Sequence, residues 1–93
     1  INIFMQFIRI SQITKYIKTR TVAAIGNFDG LHLGHQALLT SLLQTAEDLG
    51  LPSLVVLFEP QPNEYFYKEN PPARLMSLRE KLTVLAAIGV DYV

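Results

Sequence analysis

Hydrophobic positions in the first half of the chain form a strand-like run and then a helical stripe. Residues 21–25 are a short apolar run that ends at Gly26 and opens into a turn-rich stretch, as is typical of a buried strand. Apolar side chains then recur every three or four residues, at Leu38, Leu39, Leu42, Leu43, Ala46 and Leu49. This spacing predicts an amphipathic helix that begins near Gly34. Gly50, followed by Pro52, predicts its end.

The second half of the chain repeats this order after an irregular segment. Residues 54–58 are continuously apolar, as expected for a strand covered on both faces in a parallel sheet. Residues 59–72 contain four prolines and predict a long loop. Ser77 and Glu80 match a capping box and predict a second helix. A last apolar run follows this helix, at residues 90–93.

Strand, helix, strand, helix, strand is the order of an α/β fold with an open parallel sheet and right-handed crossovers. We therefore expect three layers, with parallel strands near residues 22–26, 54–58 and 90–93. The 93 residues suffice for one small domain. Two long helices are few for a sheet that must be covered on both faces, so we expect this sheet to be truncated.

Composition excludes several classes of protein. The chain has no cysteine, which excludes a disulfide scaffold and a cysteine-ligated zinc site. Eight Lys and Arg balance eight Asp and Glu, so no basic field attracts nucleic acid or an anionic membrane. No apolar run reaches the roughly 20 residues of a membrane span, and the first ten residues lack the pattern of a secretory signal. We expect a cytoplasmic protein that binds neither nucleic acid nor membrane; composition leaves its oligomeric state open.

Two loops follow the first two predicted strands, and ligands bind at the carboxyl ends of strands in open α/β sheets. The first loop contains three glycines, at Gly26, Gly30 and Gly34. Glycine permits positive φ or close backbone approach, and the next helix directs free N–H groups at the loop. His32 and His35 are three residues apart and can donate hydrogen bonds to one anion. The loop therefore predicts a phosphate site, although it matches neither GxGxxG nor GxxxxGK[ST].

Residues 26–35 read Gly-Asn-Phe-Asp-Gly-Leu-His-Leu-Gly-His, which resembles the HxGH signature of the nucleotidyltransferase superfamily. The FDG form resembles bacterial FAD synthetases more than cytidylyltransferases or pantetheine-phosphate adenylyltransferases. Further similar segments follow in order: FEPQP at 58–62, PARL at 72–75, REK at 79–81 and GVD at 89–91. The resemblance runs from about Met5 to Val93 and implies the Rossmann-like open parallel sheet of that superfamily.

The bifunctional FAD synthetases have a C-terminal domain that phosphorylates riboflavin and an N-terminal module that transfers AMP from ATP to FMN. The resemblance thus implies an FMN adenylyltransferase that uses ATP with Mg²⁺ and releases FAD and pyrophosphate. It implies that residues 5–93 are the first half of this module and that residues 1–4 precede a natural start at Met5. The C-terminal half of the module and the riboflavin kinase domain are absent from these 93 residues, so we expect the chain alone to be inactive.

By resemblance, His32 and His35 hold the ATP triphosphate and stabilise the charge that develops during transfer. The residues assigned to nucleotide binding are Gly26, Asn27, Phe28, Asp29, Gly30 and Gly34. Asp29 fixes the loop, orients a histidine or lies near the metal; these alternatives stay open. The resemblance also assigns flavin contacts to Phe58, Pro60, Gln61 and Pro62. No side chain is expected to ligate a metal directly.

Two other functions stay open: an HxGH adenylyl- or cytidylyltransferase with another acceptor, and a non-catalytic truncated remnant. Gly30 and the FEPQP segment argue against another acceptor. The second loop also contains the aromatic residues Tyr65, Phe66 and Tyr67. Such residues cover a core edge more often than they stack on a flavin. For Arg74 and Arg79, a solvated or helix-pairing role is favoured over phosphate contact.

Overall fold

The structure is a computed structural model that describes residues 5–26, 28, 33–58 and 77–93. Its elements in chain order are a 3₁₀ turn (Ile10–Gln12), α1 (Ile13–Tyr16), β1 (Val22–Ile25), α2 (Leu33–Leu49), β2 (Ser53–Val56) and α3 (Leu78–Ile88). The alternation of strand and helix from β1 to α3 is the order that the hydrophobic pattern predicts.

The sheet is parallel wherever its strands are described. β1 and β2 pair in parallel along all four residues of each strand. Tyr92 adds a parallel bridge to Leu54 on the other side of β2, and Gln6 forms a parallel bridge to Tyr92. The order across the sheet is therefore β1, β2, the segment at Tyr92 and the segment at Gln6. This arrangement confirms the predicted α/β fold with an open parallel sheet.

Both long helices end where their local signals predict. α2 ends at Leu49, and Gly50 follows with φ of +66°, the left-handed conformation that glycine adopts without strain. Ser77 caps α3: its Oγ accepts a hydrogen bond from Glu80 N at 3.1 Å, and its N–H donates to Glu80 Oε1 at 3.4 Å. Gly89 closes α3 with φ of +102°. The capping box and the glycine terminators are thus confirmed.

α2 and α3 lie against the same face of the sheet. One buried cluster joins side chains of both helices to both strands: Ala24, Phe28, Leu39, Leu42, Val55, Leu85, Val90 and Val93. Neighbouring residues of a strand point to opposite faces, so Leu54 and Val56 point away from this cluster. They line a groove with Ile10, Ile13 and Ile17 of the N-terminal segment. Helical segments on both sides of the sheet agree with the expected three layers.

A buried serine and an aspartate tie together the amino ends of two neighbouring strand segments. Asp91 Oδ2 accepts hydrogen bonds from the backbone N–H and the hydroxyl of Ser53, at 3.0 and 3.3 Å. The N–H of Asp91 donates in turn to Ser53 Oγ at 3.0 Å. Ser53 is only 1% exposed, so water cannot easily replace these bonds.

Asp91→Ala should therefore lower the free energy of unfolding by about 2–3 kcal/mol, because two donors of Ser53 lose a charged acceptor. Asp91→Asn keeps an acceptor oxygen and should cost about half as much. Urea denaturation followed by circular dichroism measures both variants. A loss below about 0.5 kcal/mol for Asp91→Ala would contradict this account, since surface substitutions have effects of that size.

Candidate functional site

The carboxyl ends of β1 and β2 lie side by side. Ile25 is paired with Val56, and the N–H of Gly26 donates to Val56 O at 3.1 Å. The chain that leaves β1 enters α2 at Leu33, so the first turn of α2 lies at this carboxyl edge. The free N–H groups and the positive end of a helix dipole attract anions. The edge therefore has the geometry of a phosphate site.

His35 lies in the first turn of α2, and its imidazole packs against the ring of Phe28. The two ring centroids are 5.2 Å apart, and the ring planes are inclined by 55°. His35 is half-buried, and its Nδ1 atom is shielded from solvent. Contact with a buried aromatic ring restricts the rotation of the imidazole. The side chain is thus held in place beside the helix N-terminus.

Phe28 lies between β1 and α2 in the chain, and its side chain is part of the core. Its φ is +53°, a left-handed conformation that is rare for a bulky residue and costs about 1–2 kcal/mol. Its ring is 1% exposed, and burying a phenylalanine contributes about 1.5–3 kcal/mol, which offsets that cost. The ring of Phe28 belongs to the core. The proposed role of Phe28 in nucleotide binding therefore concerns its backbone atoms.

Gly26 is favoured by close approach and not by its backbone conformation. A Cβ atom at Gly26 would lie 3.1 Å from Cε2 of Phe28, tighter than carbon atoms normally pack, and 3.4 Å from Cδ2, an ordinary contact distance. Positive φ occurs among the described glycines at Gly50 and Gly89. Of the two explanations that glycine allows in this loop, close packing is therefore the one that applies to Gly26.

The remaining sequence-predicted site residues fall into two groups. Phe58 lies just beyond the carboxyl end of β2 and is 46% exposed, so its ring is accessible at this edge. Gly34 belongs to the first turn of α2, and Arg79 is exposed on α3, as a solvated role requires. The others lie outside the described residues: Asn27, Asp29, Gly30, His32, Pro60, Gln61, Pro62, Tyr65, Phe66, Tyr67 and Arg74.

Sequence reasoning missed a buried lysine on α3. Lys81 is 1% exposed, although lysine is almost never fully buried in proteins. The available signal was its spacing: Lys81 follows Leu78 by three residues and precedes Leu85 by four, which places it within the apolar stripe of the helix.

Two further properties concern only the residues that the structure describes. Within them, no group of three or more His, Cys, Asp or Glu side chains is placed to hold a metal ion. No helix within the same ranges has both the length and the apolar character needed to cross a bilayer.

A parallel sheet with a helix N-terminus and a histidine at its carboxyl edge places this chain among the open-sheet α/β proteins, whose ligands bind at that edge. Comparison with known proteins narrows this class. A family model described as FAD synthetase matches residues 14–93. The chain therefore belongs to the FAD synthetase family, which confirms the resemblance of its motifs.

Curated relatives of this chain share the name bifunctional riboflavin kinase/FMN adenylyltransferase. The relative from Haemophilus influenzae is 49% identical over 89 residues, which are 96% of this chain and 29% of that protein. The relative from Escherichia coli K12 is 57% identical over 72 residues, 77% of this chain and 23% of that protein. A relative from Buchnera aphidicola is 42% identical over 89 residues, 28% of its length. The chain thus spans about a quarter of the length of these relatives.

Proposed function

We propose that this chain is the first part of an FMN adenylyltransferase module, which transfers AMP from ATP to FMN and releases FAD and pyrophosphate. The observation that carries the proposal is the position of His35, held by Phe28 in the first turn of α2 at the carboxyl edge of a parallel sheet. Membership in the FAD synthetase family and the names of the relatives support it.

The reaction requires that an oxygen of the FMN phosphate attack the α-phosphorus of ATP while the bond from that phosphorus to pyrophosphate breaks. Enzymes catalyse such transfers by positioning the reactants and by stabilising charge on the phosphate oxygens. The N–H groups of the first turn of α2 and the imidazoles of His35 and His32 would bind the triphosphate. Gly26, Asn27, Phe28, Asp29, Gly30 and Gly34 would form the loop around it.

Mg²⁺ fits this proposal as a partner of ATP. It would share the negative charge of the phosphates, because it prefers phosphate and water oxygens to all-protein cages. The nucleotide phosphates would supply its main ligands.

The FMN acceptor would approach from the loop that follows β2. Phe58 supports this placement, because it leaves an aromatic ring exposed at the same edge as His35. Exposed aromatic rings bind flat, partly apolar ligands well. Pro60, Gln61 and Pro62 would complete the flavin contact.

We further propose that the whole protein also phosphorylates riboflavin to FMN, as the names of the relatives indicate for those proteins. Residues 5–93 would then be the first half of the adenylyltransferase module. The other half of the module and a riboflavin kinase domain would belong to the rest of the protein. Such an enzyme would work in the cytoplasm on ATP, FMN and riboflavin.

A chimeric enzyme tests the proposal. The matching region of the Haemophilus influenzae relative is replaced by this chain, and FAD formation from ATP and FMN is followed by chromatography. We expect the chimera to form FAD and the 93-residue chain alone to form none. Transfer to phosphopantetheine in place of FMN would support a different adenylyltransferase. A folded chimera that transfers AMP to neither acceptor would support the non-catalytic alternative.

A further inference from the structure

Lys81 is the most unusual charged residue in the described part of the fold. It lies on α3 between Leu78 and Leu85, and its side chain is 1% exposed. Within residues 5–26, 28, 33–58 and 77–93, its ammonium group forms no hydrogen bond or ion pair. The four-carbon stem is packed in the core, and the Nζ atom at its end keeps contact with solvent, as is common for lysines that lie along apolar surface.

The direction of α3 places Lys81 near the carboxyl edge of the sheet. α3 connects β2 to the segment at Tyr92, and these two run parallel, so the helix must return from the carboxyl edge to the amino edge. Its first turns therefore lie near the ends of β1 and β2. Long helical side chains lean toward the helix N-terminus, which directs the ammonium of Lys81 toward this edge and away from Leu85.

Of the described carboxylates, Glu80 lies near the carboxyl edge, in the exposed first turn of α3, and the others lie elsewhere. Asp91 accepts hydrogen bonds from Ser53 at the amino edge, and Glu80 accepts from Ser77 in the exposed capping box. Glu47 and Asp48 are exposed in the last turn of α2, at the opposite end from His35. A cation near a helix N-terminus is also opposed by the helix dipole. An anion at the carboxyl edge would offset this repulsion and pair with the ammonium.

His35 and Lys81 occupy equivalent places on two helices that share one core cluster. His35 precedes Leu39 by one turn on α2, and Lys81 precedes Leu85 by one turn on α3. Leu39 and Leu85 both belong to the buried cluster on the same face of the sheet. Two helix N-termini and two nitrogen-bearing side chains thus lie at the same edge. Such an arrangement is suited to a ligand with several negative charges.

We infer that Lys81 binds a phosphate group of the nucleotide at this edge, as a second point of attachment beside His35. The inference rests on the proposed function for the identity of the ligand, and it adds a residue on a different helix. A lysine contacts phosphate as a point charge, so loss of the ammonium should weaken binding of the polyphosphate.

In the first test, the isotope-labelled chain is titrated with inorganic triphosphate. The Cε–Hε signals of its lysines are followed by NMR. Lys18 provides an internal control, because it is exposed and donates to Thr14 O at 2.7 Å on the N-terminal segment. We expect the Lys81 signal to shift and saturate, and the Lys18 signal to follow only the change in ionic strength. A Lys81 signal that does not move, or a chain that binds no triphosphate, overturns the inference.

Lys81→Met and Lys18→Met remove the same charge from a buried and from an exposed site. Lys81→Met should weaken triphosphate binding about tenfold or more, as expected for loss of a hydrogen bond between charged groups, and Lys18→Met should change it less than twofold. Equal affinities of Lys81→Met and the parent overturn the inference. If Lys81→Met does not fold, the titration of the unaltered chain decides the question.

The two proposals fail separately. If the chimera forms FAD but the Lys81 signal does not shift with triphosphate, the proposed function stands and Lys81 is not part of the site. A chimera that forms no FAD, combined with a Lys81-dependent triphosphate site, would overturn the proposed function and keep Lys81 as a phosphate-binding residue.

Discussion

His35→Ala should lower the rate of AMP transfer by about 10² to 10³-fold in the chimeric enzyme, the usual cost of losing one positioned donor to a developing charge. The imidazole lies at the positive end of α2 and is held by the Phe28 ring at 5.2 Å. It should therefore stabilise phosphate oxygens more in the transition state than in bound ATP. The measurement is kcat/KM for FAD formation at saturating FMN.

Two controls isolate the role of His35 in the transfer. Riboflavin phosphorylation by the same chimera should stay nearly unchanged, because we propose that a separate domain carries it. Thr45→Ala replaces an exposed residue of the same helix and should keep full AMP transfer. If His35→Ala retains a rate within about threefold of the parent, a difference below about 1 kcal/mol, the histidine has no part in the chemistry.

Phe28→Ala should lower the free energy of unfolding of this chain by about 3 kcal/mol or more, in the range of buried phenylalanine truncations. The ring is 1% exposed and fills the core between the two strands and α2. Alanine keeps the unfavourable φ of +53° but loses the burial that offsets it. Urea denaturation of the parent and the variant measures the difference.

Phe28→Leu is the matched control, because it keeps most of the apolar volume and should recover about half of the lost stability. Leu38→Ala is a second control, since Leu38 is 45% exposed and should cost far less. The His35 imidazole signals should also shift in Phe28→Ala, because the ring current of Phe28 is removed. A loss below about 1 kcal/mol would show that the core of this chain does not depend on Phe28.

Helix ends and strand direction were predictable because their signals are local. The capping box at Ser77 and the glycines at positions 50 and 89 act through backbone atoms within one turn. Parallel pairing followed from one long helix between two apolar runs, which leaves no short turn for an antiparallel hairpin. The same reasoning placed the loop after β1 and the start of α2 at the carboxyl edge of the sheet.

The candidate site was predictable only in part. The string at residues 26–35 identified His35 and the family, since its glycines and histidines carry that information in their order. The same string suggested that Phe28 contacts the nucleotide, whereas its side chain is in the core. Glycine at position 26 was expected either for positive φ or for close backbone approach. The position of the Phe28 ring showed that close approach applies.

Local patterns along the chain were thus sufficient for the α/β order, the helix limits and the position of the start of α2 at the carboxyl edge of the sheet. The burial of Phe28 and Lys81 and the bond between Ser53 and Asp91 emerged only from the tertiary structure. The physical reason is that these contacts join residues far apart in the sequence. Which side of a helix meets the sheet, and which long side chain is packed into the core there, depends on how the elements pack together.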